Sequence, residues 1–391
     1  LFLLLPFLIF GLRGMLLQSM ARLAERVGKV GRDTYWTTPL ALAETFLLAL
    51  PLPLLIGVIG GILAASPNTA DFSNSLATGL AAVSSILLVL MMFRSMCRPN
   101  GLFTGHFHWS EIATGKLSQA LFWFAWAQSI ATFLFAIALS SGLVEMRYGL
   151  AVVAFIGASL GISAFNFFFF RPKQGIFASV TDGTAARPLL TLAFPLLVLA
   201  PLVIGLLPVF GFFDTATELQ SRLFQSGIAM ILAAVIFGVL MRLYYVAHRR
   251  FALRHIRAQR AEAELARTVS EDALASGEAV PVAKPGEDID PDRISDQTRS
   301  ILSGLAAVSL LIGFWMIWSP LLPALGIADD IVLWQRSRLV DGIPMASSVT
   351  LWNLILSIVF LVGGFVAARN IRGILEVGVF ERMSLDAGER Y

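Results

Sequence analysis

The chain contains 391 residues, of which 57% are hydrophobic and 14% are charged, and its formal net charge is +3. Ordinary soluble domains carry about a quarter charged residues, so this composition excludes a single water-soluble globule. It equally excludes a disordered chain, which needs low hydrophobicity. The one cysteine, Cys97, excludes an internal disulfide framework and any site built from several cysteines.

Long windows without Asp, Glu, Lys or Arg divide the chain. A membrane-spanning helix needs about 20 mostly apolar residues, and all windows but the first reach that length. The first could be a signal-peptide core, a buried helix or the remainder of a spanning helix. No basic segment precedes it and the chain begins with Leu1, so we favour a spanning helix cut from a longer protein. The windows are residues 1–12, 45–70, 72–93, 117–144, 148–170, 188–213, 223–241, 300–328 and 342–368.

The windows predict an all-α polytopic membrane protein with about nine transmembrane helices and additional interfacial amphipathic helices. If the helices alternate in direction, the connections on one side hold 25 of the 29 Lys and Arg residues. The other side holds only Arg147, Arg222, Arg336 and Arg338. Cytoplasmic loops are enriched in Lys and Arg. We therefore expect a periplasmic N-terminus and a cytoplasmic C-terminus.

Residues 13–32 predict an amphipathic helix, because apolar residues recur at steps of three and four while Arg22, Arg26 and Lys29 lie between them. Such a helix could lie along the inner leaflet and contact lipid headgroups. It could equally be a bundle helix that packs its apolar stripe on a neighbour. The pattern does not distinguish these two arrangements.

Residues 242–267 continue the seventh predicted span with a dense basic stretch that includes Arg249, Arg250, Arg254 and Arg257. We interpret it first as a topology anchor and second as a surface that binds anionic lipid. Residues 268–296 hold eight acids and three prolines, which predicts a flexible acidic loop. Three regions follow: 1–267 as membrane helices with a basic cytoplasmic extension, 268–296 as the loop, and 297–391 as two further helices and a trailing amphipathic helix.

Few ionisable residues lie within the predicted spans. Glu44 and Arg94 lie near span ends, where we expect their side chains to extend to the membrane interface. Gln128, Asn166 and Asn353 are the main remaining polar residues, and we expect them to form interhelical hydrogen bonds. Proton- and ion-coupled transporters place more charge in the membrane than this.

His106 and His108 form a His-x-His pair that could begin a metal site. No cluster of Cys, Asp or Glu completes it, so we favour a polar interfacial turn anchored by Trp109. The sequence contains no nucleophile elbow, phosphate loop or zinc-protease motif. We predict a protein that is not an enzyme, with no catalytic residues, cofactor, metal or nucleic-acid partner.

Proline and glycine are frequent in the spans. The pairs Gly57/Gly61 and Gly157/Gly161 have the spacing that allows close helix packing. Proline bends helices, which would suit a sensor that responds to membrane shape, although proline is also common in membrane helices generally. The candidate hinge prolines are Pro51, Pro53, Pro195, Pro201 and Pro208.

The C-terminal segment that begins at Trp352 resembles the first core helix of the MscS superfamily of mechanosensitive channels, most closely the large MscK and MscM type. The residues that carry the resemblance are Arg369, Asn370, Gly373 and the pair Leu375–Glu376. Further motifs follow in the same order as in that family. They are Arg98–Pro99, Gly101–Leu102, His106–Phe107 with Trp109, Gly211 to Leu219, and Leu333–Trp334. Arg372 departs from the family, where proline is expected.

The resemblance implies a bacterial inner-membrane channel with eleven spans, a large periplasmic region before them and a cytoplasmic vestibule after them. Members assemble as homo-oligomers, namely heptamers, contact membrane lipids, open under membrane tension and release solutes during hypo-osmotic shock. In this interpretation the nine windows are the sensor paddle and first core helix, Gly373 is a hinge, and the pore helix is absent. We therefore expect residues 1–391 alone to insert into a bilayer without conducting. The alternatives are a secondary transporter and a non-conducting membrane scaffold.

Overall fold

The computed structural model describes residues 3–29, 32–66, 71–172, 186–276, 291–321, 331–340 and 343–361, except 355 and 359. Most of these residues are helical, as expected. The chain forms two compact units, Leu1–Leu311 and Ile312–Tyr391.

Eleven α-helices and two strands make up the described elements, with a π-helical turn at Leu102–His106 and a 3-10 turn at Leu207–Phe210. The α-helices are α1 (Leu4–Gly11), α2 (Arg13–Arg26), α3 (Thr37–Ala49), α4 (Pro51–Ala64), α5 (Asp71–Met96), α6 (Glu111–Ser140), α7 (Val144–Tyr148), α8 (Leu150–Phe170), α9 (Ala186–Leu206), α10 (Phe213–Ser276) and α11 (Pro291–Trp318). The strands are β1 (Val332–Val340) and β2 (Ile343–Thr350).

Among the described residues, six helical segments are long and apolar enough to cross a membrane. The number is up to eight if each of two bent pairs is one span: α1 with α2, which meet at 47°, and α3 with α4, which meet at 51°. The prediction of a multi-pass helical protein is confirmed, whereas the count of nine spans and the interfacial helices are not. The six segments are Asp71–Met96, Glu111–Ser140, Val144–Phe170, Ala193–Phe210, Phe213–Phe251 and Gly304–Leu321.

Helices that follow one another in sequence pack side by side in the first unit: α4 on α5, α5 on α6, α6 on α8, and α8 on α9. This arrangement follows from short connections between apolar helices. The main core lies between α5, the π-helical turn and α6, where Leu87, Leu102 and Ala125 are fully buried. The π-helical turn is therefore part of the core and holds its neighbours in fixed positions.

In the second unit, β1 and β2 form an antiparallel hairpin in which Val340 pairs with Ile343. This corrects both the all-α prediction and the ninth window, because residues 343–350 are in a strand and helix begins only at residue 351. The sequence pair Asp341–Gly342 is typical of two-residue hairpin turns and was the sequence signal that favours a hairpin. A charge-free window does not distinguish strand from helix, since it ignores residue periodicity.

The predicted acidic loop, residues 268–296, is partly helical. Helix α10 continues to Ser276, and α11 begins at Pro291. The stretch after residue 260 is rich in Ala, Glu, Leu and Arg, which favour helix and extend α10 beyond its apolar part. Pro291 occupies the first position of α11, where proline is well tolerated. The remaining residues, 277–290, lie outside the described part of the chain, and the loop remains a prediction there.

Candidate functional site

A buried polar junction joins the connection between α2 and α3 to helix α10. Asp33 and Arg242 form an ion pair in which their side chains are only 6% and 9% exposed. The Asp33 carboxylate also accepts hydrogen bonds from the Gly28 backbone N–H at 2.9 Å and the Thr37 hydroxyl at 3.3 Å. Gly28 has a φ of +78°, which glycine adopts readily. The connection can therefore fold back, so that Gly28 near its start and Thr37 at its end both donate hydrogen bonds to the Asp33 carboxylate.

The charge on Asp33 is stabilised by these partners. Burial by itself raises the pKa of a carboxyl group. The hydrogen bond and charge of Arg242, with the hydrogen bonds from Gly28 and Thr37, outweigh it and lower the pKa of Asp33 below its usual 3.8. Asp33 is consequently ionised at neutral pH, as the ion pair requires.

Two of the predicted lipid-contacting arginines bind this same connection. Arg249 donates a hydrogen bond to the Gly28 carbonyl. Arg250 donates to the Asp33 carbonyl at 3.2 Å, and its guanidinium lies 4.5 Å from the centroid of the Tyr35 ring. These basic residues of α10 therefore contribute protein contacts in the junction, and their role toward lipid remains a prediction.

The remaining predicted lipid-contacting residues differ in their surroundings. Arg22 donates a hydrogen bond within its own helix to the Gln18 carbonyl at 3.4 Å. Arg26, Lys29 and Arg254 are exposed, and the Arg257 side chain lies outside the described part. Helix α2 packs on α3 and buries Met20 and Leu23, which favours the bundle-helix alternative for this stripe.

His106 extends the junction to the π-helical turn. Its Nδ1 lies 3.2 Å from the Thr38 hydroxyl, and its buried Nε2 has no hydrogen-bond partner. Burial, the positive charge of Arg242 and the neighbouring His108 lower the pKa of His106 to about 4, against an opposing effect of Asp33. His106 is therefore neutral at physiological pH.

The His-x-His segment is a turn anchored by aromatic residues. The ring of Trp109 stacks on Phe103 with centroids 4.4 Å apart. Within the described residues, no group of three or more His, Cys, Asp or Glu is arranged to hold a metal ion.

The expectation that Glu44 reaches the membrane interface is wrong. Glu44 is 7% exposed and accepts a hydrogen bond from the Ser19 hydroxyl at 2.6 Å. Helix α2 bends back onto α3 and covers it, which the spacing of charges along the chain cannot reveal. Arg94 is partly buried, with its guanidinium 4.7 Å from the centroid of the Phe122 ring.

These contacts also test the alternation of the helices. The Asp33–Arg242 and Thr38–His106 contacts join three segments that the sequence assigns to the same side: 13–44, 94–116 and 242–299. At the other end, Arg147 and Asp214 form an ion pair at 2.9 Å between two segments assigned to the opposite side. The grouping of these loops therefore agrees with the structure.

The predicted hinge prolines take three different positions. Pro51 begins α4 at the 51° bend, and buried Pro53 accepts a hydrogen bond at its carbonyl from the Ser84 hydroxyl at 2.7 Å. Pro195 and Pro201 lie inside α9, while Pro208 lies in the 3-10 turn. Gly373 lies outside the described part.

Helix α8 satisfies the backbone that proline leaves unpaired in α9. A proline lacks an N–H, so the carbonyl four residues earlier loses its helical donor. For Pro201 that carbonyl belongs to Leu197, and the Asn166 side-chain amide donates to it at 2.8 Å. The Ser163 hydroxyl donates to the adjacent Val198 carbonyl at 2.5 Å. The predicted interhelical role of Asn166 is thereby confirmed, and it fixes α8 to the proline site.

Only one glycine of each predicted pair is packed against a neighbour. A Cβ at Gly57 would lie 2.7 Å from the Ser84 hydroxyl, and one at Gly161 would lie 3.7 Å from Gln128 Oε1. Gly61 and Gly157 have open space. Close packing at Gly238, where a Cβ would lie 2.6 Å from the Phe107 ring, was not predicted because it brings together residues far apart in sequence.

The junction and the proline site together make a bundle that is fixed at defined points and bent at others. Polar contacts join the α2–α3 connection, α3, α10 and the π-helical turn. The sequence did not reveal Asp33, Arg242 or His106 as a group. The first two are 209 residues apart, and no local pattern marks such a pair.

Comparison with known proteins places this bundle among channel proteins. Residues 1–334 match the family described as mechanosensitive ion channel inner membrane domain 1. The miniconductance mechanosensitive channel MscM of Escherichia coli (strain K12) is 25% identical over 385 residues, which is 95% of this chain and 34% of that protein. The mechanosensitive channel MscK of the same organism is 25% identical over 392 residues, 97% of this chain and 32% of that protein.

An uncharacterized MscS family protein of Haemophilus influenzae is 25% identical over 394 aligned positions, which is 98% of this chain and 34% of that protein. This chain spans about a third of the length of these curated relatives. The match extends through both bent helix pairs, the junction and the proline site. The chain belongs to the MscS family of mechanosensitive channels, in the part described as inner membrane domain 1.

Proposed function

We propose that this chain is the tension-sensing transmembrane region of a large MscS-like channel that releases solutes during hypo-osmotic shock. The family match over residues 1–334 carries this proposal. The channel activity itself belongs to the whole protein.

The exposed apolar surface of the helices supports a sensing role. Only 11% of the most apolar 18-residue stretch is buried in the segment Phe213–Phe251, and 28% of the corresponding stretch is buried in Asp71–Met96. Helices that expose so much surface interact with the bilayer through its thickness and shape, at fractions of a kcal/mol per Å of mismatch. Moving a gate from 1% to 99% open needs about 5.5 kcal/mol of differential stabilisation. Several such helices in each subunit of a homo-oligomer could together supply that energy.

The orientation follows from the positive-inside rule. We place the junction at the cytoplasmic face and the Arg147–Asp214 pair at the periplasmic face of a bacterial inner membrane. Two exposed positions, Ala261 and Glu145, form a matched pair for testing this. A cysteine at Ala261 should react only with a membrane-permeant maleimide in intact cells, and a cysteine at Glu145 should react with an impermeant one. The reverse result would invert the topology.

The activity is tested by patch-clamp of the full-length protein under graded suction, in membranes that lack other mechanosensitive channels. We expect tension-gated currents. The substitution Asn166→Leu, which removes the donor at the proline site, should shift the tension of half-maximal opening while single-channel conductance stays unchanged. A matched control is Asn74→Leu, on the first turn of α5 and away from this site. Full-length protein without tension-gated current, or substrate uptake without tension, would contradict the proposal and favour a scaffold or a transporter.

If currents appear but Asn166→Leu has no more effect on the opening tension than the control, the channel assignment stands. The sensing role of the contact between Asn166 and the backbone beside Pro201 is then wrong. The two parts of the proposal therefore fail separately.

A further inference from the structure

A cleft lined in part by arginines lies where the two bent helix pairs meet. Its volume is about 190 Å³, and its walls come from the α1–α2 bend, the α3–α4 bend, the end of α5 and the middle of α6. Three arginines line it: Arg13 at the start of α2, Arg94 in the last turn of α5, and Arg98 one turn later. No local pattern in the sequence marks these three residues as a group.

The cleft contains positive charge without a matching carboxylate. No Asp or Glu lines it, and among the described residues none forms an ion pair with these three arginines. The Nε of Arg94 is buried and has no hydrogen-bond acceptor. A buried guanidinium donor without an acceptor is costly, so this arrangement favours an anion that accepts from it.

The three guanidinium groups are close enough to influence one another. Burial, and then the positive charges of Arg13 and Arg94, lower the pKa of Arg98 below its usual value. A bound anion would offset this mutual repulsion, because opposite charge stabilises the ionised form. Arginine also matches phosphate oxygens with two parallel N–H donors.

Most of the other residues that line the cleft are apolar. They include Leu52, Phe122 and Trp126, and Trp126 remains 43% exposed. A lining that combines arginines with apolar side chains matches a molecule with an anionic head and a hydrocarbon tail. A free anion would use only the arginines and would leave the exposed apolar lining without a partner.

We propose that this cleft binds an anionic phospholipid, with its phosphate held by Arg94 and Arg98, and Arg13 closing over it from the α1–α2 bend. The acyl chain lies along Leu52 and Trp126. Because both helix bends line the cleft, the lipid contacts the two places where the first unit is bent. The proposal depends on the membrane location and does not depend on the proposed channel activity.

The test is native mass spectrometry of the full-length protein in detergent, titrated with phosphatidylglycerol and, separately, phosphatidylcholine. The double variant Arg94→Gln/Arg98→Gln should weaken phosphatidylglycerol binding about tenfold or more, given the usual contribution of a basic residue near anionic lipid. Phosphatidylcholine binding should change less than about twofold. The matched control is Arg254→Gln, an exposed arginine of α10, which should leave both affinities unchanged.

A second variant, Leu52→Glu, leaves the arginines in place and guards against misfolding of the first. Leu52 lines the cleft together with the three arginines, so a carboxylate there can pair with them, and it should weaken phosphatidylglycerol binding by repulsion and by occupying the arginines. A competition arm adds inorganic phosphate at up to millimolar concentration, which should not displace the lipid.

Three results would overturn the proposal. One is unchanged phosphatidylglycerol affinity in both cleft variants. Another is an equal loss in the Arg254→Gln control, which would indicate general surface attraction. The third is displacement by inorganic phosphate, which would make the cleft a site for a free anion.

Discussion

Removing the carboxylate at Asp33 should destabilise the first unit more than removing any exposed charge. In Asp33→Asn the side chain keeps its size, but Arg242 stays buried with its positive charge uncompensated. The backbone N–H of Gly28 and the hydroxyl of Thr37 also lose a charged acceptor. The substitution therefore separates the charge of the junction from its packing.

The expected loss is about 3–5 kcal/mol, the usual cost of removing one partner of a buried ion pair. The matched control is Asp214→Asn, because Asp214 also pairs with an arginine, at 2.9 Å, but its side chain is 86% exposed. Exposed pairs contribute about 0–1 kcal/mol. Replacing both buried partners in Asp33→Leu/Arg242→Met should cost less than Asp33→Asn, since no charge then remains buried.

The assay is thermal unfolding of the purified protein in detergent, followed by loss of the folded peak in size-exclusion chromatography. Because the pKa of Asp33 is lowered, its contribution to stability is complete above 3.8 and decreases as pH falls through the lower folded value. The difference between wild type and Asp33→Asn should therefore be constant from pH 5 to 7 and shrink below about pH 4. Equal melting temperatures for Asp33→Asn and Asp214→Asn would refute the assignment of a buried, stabilising pair.

Three further predictions concern the core around the π-helical turn. The pKa of His106 is lowered from 6.5 to about 4, so the wild type should lose stability as pH falls from 6.5 to 4. The variant His106→Gln should lose less stability over that range, as measured by melting temperature. Melting temperatures that fall in parallel for the two proteins would contradict a buried neutral histidine. Gly238→Ala should cost about 1–3 kcal/mol by overpacking against Phe107, whereas Gly227→Ala, with open space at its Cβ, should be neutral or stabilising in the same assay. Burial raises the pKa of the Cys97 thiol to about 12, so maleimide should label it only after denaturation, and fast labelling of folded protein would show that this core opens.

Several properties followed from the sequence because they depend on residues that are neighbours along the chain. Apolar windows identified the helices α5, α6, α8 and α10 as spans, since the cost of an unpaired or charged group in lipid acts on each segment separately. The distribution of Lys and Arg sorted the loops into two groups, because that distribution is also read from each loop separately. Short motifs in a fixed order were enough to indicate the family, because order and spacing survive where identity is low.

Boundaries between helix and strand were less predictable. The ninth window included residues 343–350, which pair with β1, because hydropathy alone cannot separate a strand from a helix. The acidic segment was predicted as loop from 268, although good helix formers carry α10 to Ser276. In both cases the sequence contains a local signal. For the hairpin it is the Asp341–Gly342 pair, and for the end of α10 it is the Ala- and Glu-rich composition. Dividing the chain by its charges alone did not use either signal.

Tertiary structure alone decided which charged residues are buried and which meet. From the sequence, Glu44 near a span end could either reach water or be buried. It is buried because α2 packs on α3, the helix that contains Glu44. Asp33 pairs with Arg242, and Arg13, Arg94 and Arg98 line one cleft. Helix packing brings these residues together although they are separated by tens to hundreds of positions in the sequence. The sequence indicates which segments are apolar enough to cross a membrane, since that free energy is local to each segment. Which faces touch depends on packing between segments, and that is decided only when the whole bundle has formed.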